Sequence, residues 1–148
     1  DFEGTYQNRG QPSRFHATRV QFLSAILWPK DNVEHAQVET IEVRAINADS
    51  LVVRALSERG VEKESTFVEG KDFTLVDGQI RLKDEVRVAG TRAGDPFVGP
   101  IYEHVALGID RQGQGKYRQD GAGAGLVFML LPFVYTDRED IRFLRIEP

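Results

Sequence analysis

The sequence predicts a mainly β fold, a single antiparallel barrel or sandwich of about eight to nine strands with one short N-terminal helix. Three observations carry this. Most of the chain alternates apolar and polar residues with period two, the pattern of strands buried on one face. Turn-forming residues separate these runs at short intervals with no helices between them, so neighbouring strands pair antiparallel. One early segment alone places apolar residues at helical spacing. An antiparallel sheet of this size must close or fold over to hide its edges, and a barrel and a sandwich both do so.

The helical segment is HATRVQFLSAILWPK, where Val20, Leu23, Ile26 and Leu27 fall on one side. Thr18 and Gln21 have capping-box spacing. Pro29 disfavours helical geometry at Trp28, which limits the helix to about ten residues. So short a helix is marginal in isolation and needs a sheet to lie on; Phe22 and Trp28 widen its apolar surface.

In TIEVRAI, Ile41, Val43 and Ala45 share a face opposite Glu42 and Arg44. In LVVRAL, Leu51, Val53 and Ala55 lie opposite Arg54, and the turn-forming residues 47–50 join the two runs into a hairpin. A second turn falls at Glu58-Arg59-Gly60, before the polar strand VEKESTFV. Asp77-Gly78 in FTLVDGQIRL is a strong hairpin signal, because both central positions of a type I′ turn need positive φ. Ile80, Leu82, Val86 and Val88 continue the inward face, with a turn or bulge expected at Asp84-Glu85. Val105, Leu107 and Ile109 alternate in the next strand, RQGQG is a loop, KYRQD begins a return strand, and IRFLRI ends the chain as a last strand. No repeat, low-complexity tract or linker divides residues 1–148, so the expectation is one β-rich domain.

The chain has 148 residues, 41% hydrophobic and 28% charged, with a formal net charge of −4. That is enough apolar material for one core. Positive and negative residues are interspersed, which disfavours nucleic-acid binding. The absence of cysteine removes disulfides, thiolate zinc sites and thiol nucleophiles together. The chain starts at Asp1 without Met, so the expectation is a removed leader or a trimmed N-terminus.

The stretch DGAGAGLVFMLLPFVY, Asp120 to Tyr135, is the most unusual in the chain. It fails as a phosphate loop, because Leu126-Val127 follow Gly125 where a Lys and a Ser or Thr are needed. It fails as a spanning helix, because its apolar run is half the roughly 20 residues required. The expectation is a buried strand in which Pro132 marks an edge or bulge, and in which Gly121, Gly123 and Gly125 share a face that admits close packing. Trp28 and its helix, another backbone, or empty space are the occupants left open; an interfacial loop is the remaining alternative.

His16, His35 and His104 have no metal-site spacing. Tyr102 and His104 share a strand face that could line a pocket mouth; the alternative is an exposed face. Ser13, Ser24, Ser50, Ser57 and Ser65 lie in no nucleophile elbow. Asp84 and Glu85 point to opposite faces of a strand. Asp137-Arg138-Glu139-Asp140 is expected to be a solvated hairpin turn between the last two strands. No catalytic residue, metal ligand or cofactor is therefore assigned, and the ligand-binding residues are left unassigned.

FEGTY, with Tyr6 in place of the usual Trp, is similar to the opening of lipocalin-type barrels. The succession FEGTY, LSAILWP, DSLVVRAL and GAGLVFMLLP resembles small lipoproteins of the Gram-negative cell envelope, read without their lipidated N-terminal Cys. The resemblance implies a periplasm-facing location, and membrane association only through that removed lipid anchor. The resulting expectation is a non-catalytic envelope module that binds a lipid or other apolar ligand or a protein partner. The alternative is a structural or interaction lipoprotein with no small ligand. An enclosed apolar void of several hundred Å3 favours the former; a filled core with an exposed apolar patch favours the latter.

Overall fold

The computed structural model describes residues 2–12, 21–82, 85–89, 97–127 and 131–147. Within them the chain is mainly β, arranged in two antiparallel sheets with one short helix, and neither sheet closes on itself. The first sheet has the order β12-β1-β3-β4-β5. Its strands are β1 (Gly4–Gln7), β3 (Thr40–Asn47), β4 (Ser50–Ser57), β5 (Gly60–Val68) and β12 (Arg145–Glu147). The second sheet has the order β2-β11-β10-β9-β7-β6, with β8 also paired to β9. Its strands are β2 (Gln11–Pro12), β6 (Phe73–Val76), β7 (Gln79–Leu82), β8 (Glu85–Ala89), β9 (Phe97–Ile109), β10 (Gly115–Val127) and β11 (Leu131–Phe143). One core is shared by both: Tyr6, Ile41 and Val53 come from the first sheet, and Tyr117, Ile141 and Phe143 from the second.

The expected period-two faces are present. Ile41, Val53 and Ala55 are buried in register across β3 and β4. Glu42, Arg54 and Glu64 line up on the opposite face, where the Arg54 guanidinium bridges both carboxylates. Asp77 (φ 51°) and Gly78 (φ 72°) both adopt the left-handed region between β6 and β7, as a type I′ turn demands.

Several expectations are corrected. The described residues hold twelve strands, not eight or nine, because short edge pieces such as β2 and β12 complete the sheets. The helix, α1, is Leu23–Leu27 and does not begin at the Thr18/Gln21 box; Thr18 lies outside the described residues. It starts late because the backbone just before it is occupied elsewhere. Phe22 is extended and bridges Arg9, the Gln21 carbonyl accepts from Gly10 N–H at 2.9 Å, and the Gln21 side chain reaches Glu139. The end before Pro29 is where the proline places it, with Trp28 as C-cap.

Residues 137–140 are not a turn. They lie inside β11 and pair across to β10, Arg138 with Asp120 at 2.6 Å and Asp140 with Arg118 at 2.9 Å. The terminal run is likewise divided, 141–143 finishing β11 in the second sheet and 145–147 forming β12 in the first.

The glycine-rich apolar stretch is two strands rather than one. Its arms are the ends of β10 and β11, joined in register at Gly125↔Phe133, Leu126↔Pro132 and Val127↔Leu131. Pro132 stands on the outermost strand at this level among the described residues, since β2 reaches only Ile141 and Arg142. Gly121 is half-buried and Gly123 buried, whereas Ala122, Ala124, Leu126 and Val134 are exposed. Trp28 packs on β5 instead, with its ring 6.3 Å from that of Phe67 and its indole N–H donating to Ser65 Oγ at 2.9 Å.

Candidate functional site

Alternation along the strands aims one set of side chains between the sheets, and α1 closes over them. The innermost space is an apolar cavity of about 80 Å3. Leu23 and Leu27 of α1 line it together with Val43, Phe67, Leu107 and Phe143 from the two sheets. It adjoins a wider cleft of about 500 Å3 on the α1 side, and Leu27, Phe67 and Leu82 line both. The far wall of this cleft is polar, with Lys71 and Asp72 from the β5–β6 connection and Glu103, Tyr117 and Gln119 from β9 and β10. A further cleft of about 620 Å3 lies toward β6 and β7 and again includes Leu82, with Arg81, His104 and Arg118 at its rim.

The polar wall follows from strand register. Tyr117 and Gln119 are two apart on β10 and so share its inner face; Leu107 and Val105 flank them on β9, Ile141 and Glu139 on β11. The Tyr117 hydroxyl donates to Gln119 Oε1 at 2.5 Å. Burial pushes the Tyr117 phenol far above its ordinary value, and the Glu139 and Glu103 carboxylates add to the shift. Tyr117 is therefore neutral at every physiological pH. The combination is an apolar chamber leading to a wall of neutral and charged hydrogen-bonding groups, which suits an amphiphile.

The residues singled out in the sequence are not gathered here. His35 lies beside α1, its Nδ1 3.0 Å from Ser24 Oγ. That contact has the atoms of a base and a nucleophile, but Ser24 is 0% exposed and unreachable by a substrate. It belongs to a structural knot centred on the buried Asn8. The Asn8 amide donates to the His35 and Val38 carbonyls at 2.8 and 2.9 Å, and its Oδ1 accepts from Ser24 N–H at 2.8 Å. Tyr102 and His104 share an exposed face of β9, and of the two His104 lines the cleft toward β6 and β7. Ser57 bonds Glu62 and Ser65 bonds Trp28. His16, Ser13 and Asp84 lie outside the described residues. Among the described residues no three His, Asp or Glu side chains are placed to hold a metal ion.

The cleft residues that sequence reading left unassigned are Phe67, Glu103, Tyr117 and Gln119. Alternation along KYRQD would have placed Tyr117 and Gln119 on one face, but nothing local says that α1 and β5 stand opposite. No protein-family model, curated protein or solved structure matches this chain.

Proposed function

We propose that this protein is a non-catalytic module of the bacterial cell envelope, a two-sheet sandwich whose cleft under α1 takes a small amphiphilic ligand. The observation that carries the reading is the junction at Leu27, Phe67 and Leu82, where the apolar chamber opens into the cleft walled by Tyr117, Gln119 and Glu103. An acyl or similar apolar chain would lie along these side chains, with its polar end at Gln119 and Lys71. The envelope setting, with a lipid anchor on the N-terminal side, rests on the lipoprotein-like order of FEGTY, LSAILWP, DSLVVRAL and GAGLVFMLLP.

A second reading, an interaction lipoprotein without a small ligand, is favoured by the inner cavity, which at about 80 Å3 is far below the several hundred Å3 of a committed pocket. Titration of the delipidated protein with the fluorescent fatty acid cis-parinaric acid separates the two. Leu82 borders all three spaces, so Leu82→Trp fills the junction from a half-buried position. The expected result is saturable one-to-one binding that weakens at least tenfold in Leu82→Trp, while the thermal midpoint moves by a few degrees. Absence of saturable binding in the unaltered protein would refute the ligand reading and leave the interaction reading.

A further inference from the structure

The outer face of β10 and β11 changes character abruptly along the hairpin. In its lower half it is a ladder of ion pairs, with Arg142–Asp110 at 2.7 Å, Arg118–Asp140 at 2.9 Å and Arg138–Asp120 at 2.6 Å. Beyond Asp120 the same face presents Ala122, Ala124 and Leu126, with Val134 opposite Ala124; all are exposed, Val134 to 76%. Residues 121–136 contain no Asp, Glu, Lys or Arg.

The boundary is aligned across three strands. Gly121 of β10 stands level with Glu103 of β9 and with Asp137 of β11. These are the last charges on β9 and β11 toward the hairpin end, because residues 97–102 and 131–136 are also uncharged. Tyr102 sits one row beyond the boundary and Tyr135 two rows beyond. Tyrosine is enriched at bilayer interfaces, and Tyr102 is exposed where charge gives way to apolar surface. In a single sequence this alignment is invisible, because the three charges are scattered over residues 103, 120 and 137.

We propose that the charge-free part of the β10–β11 hairpin, residues 121–127 and 131–136, inserts into one leaflet of a phospholipid bilayer, with the Asp120–Arg138 pair and Glu103 at the water line. Gly121–Val127, at about 3.3 Å per residue, extends roughly 23 Å. One leaflet, half of a hydrocarbon core about 30 Å thick plus its headgroup layer, has a depth of roughly 20 Å. A tilted hairpin of this length enters one leaflet without crossing the other. Cross-strand pairing joins β10 to β11 along this segment and to β9 at Ala122, Gly123, Leu126 and Val127, and Pro132 on the outer strand has no N–H to leave unpaired. Arg87 of β8 pairs with Ile101 and stands two rows past the boundary. In sequence, residues 90–96 carry Arg92 and Asp95, whereas residues 121–136 carry no charged side chain. This contact is additional to the N-terminal lipid anchor expected from the resemblance, and it does not depend on the cleft.

The test uses the unlipidated chain and vesicles of phosphatidylcholine, since an uncharged tip needs no anionic lipid. The chain lacks cysteine, so Val134→Cys accepts an environment-sensitive fluorophore at a single site. Insertion predicts flotation with the vesicles that persists in 0.5 M salt, a blue shift of the probe at position 134, and its quenching by brominated acyl chains. Leu126→Asp and Val134→Asp, both at exposed positions, should each reduce vesicle binding at least tenfold with an unchanged circular dichroism spectrum and thermal midpoint. Ile46→Asp, exposed on β3, should not reduce it. A protein that stays with the aqueous fraction, or that binds only anionic vesicles and is released by salt, overturns the proposal. So does a dimer, without vesicle binding, that Leu126→Asp dissociates; the hairpin end would then serve a second copy of the chain.

Discussion

Tyr117 shows how one residue sets the character of the cleft. Its ring fills the core beside Ile141 and its hydroxyl meets Gln119 at the polar wall. Burial raises its pKa above the ordinary value near 10, with Glu139 and Glu103 acting in the same direction. Above pH 10 an unfolded chain releases this proton while the folded chain keeps it, so the folded state binds more protons and loses stability as pH rises. The contribution is fully present below about pH 10 and declines above it. Tyr6 shifts the same way, because burial outweighs the opposing charge of Arg145. Urea unfolding between pH 9 and 11 should show falling stability, with a shallower fall in Tyr117→Phe; equal slopes would place the Tyr117 phenol in water rather than in the core.

At the scale of elements, the hairpins were the most legible part of the sequence. Asp77-Gly78 specifies its own turn, and the β3–β4 faces follow from alternation alone. The helix was less legible, because its start is decided by partners far along the chain. Asn8 is the example: nothing in its local sequence marks it, yet it ties α1 and residues 35–38 to the end of β1 through three side-chain bonds. Asn8→Ala leaves buried carbonyls and an N–H without partners and should destabilise the fold by about 3–5 kcal/mol. Faster amide exchange in α1 than in β4 should accompany it; a loss below about 1 kcal/mol would show that water replaces the amide. The 137–140 segment is deceptive for a related reason. Four successive charged residues look like a solvated turn until the register sets Arg138 against Asp120 and Asp140 against Arg118. The apolar run reads as one strand because composition alone does not reveal that Gly125, Leu126 and Val127 pair with Phe133, Pro132 and Leu131.

At the scale of the whole molecule, the antiparallel, mainly β character was legible from period and turns, whereas the cleft was not. Its walls come from α1, β5, β7, β9 and β10, which meet only when the two sheets stack. The two proposals also meet in space. Glu103 and Gln119 edge the cleft, and Gly121 and Gly123 continue the same face of β10 toward the uncharged hairpin end.

Native mass spectrometry of the protein purified from its own host tests the central reading, that the cleft holds a small amphiphile. The predicted result is a peak heavier than the chain by one non-covalently held molecule of lipid mass. This peak should be retained in Leu126→Asp, whose change is outside the cleft, and strongly reduced in Leu82→Trp. A bare mass in every preparation, or an adduct unaffected by Leu82→Trp, would contradict it.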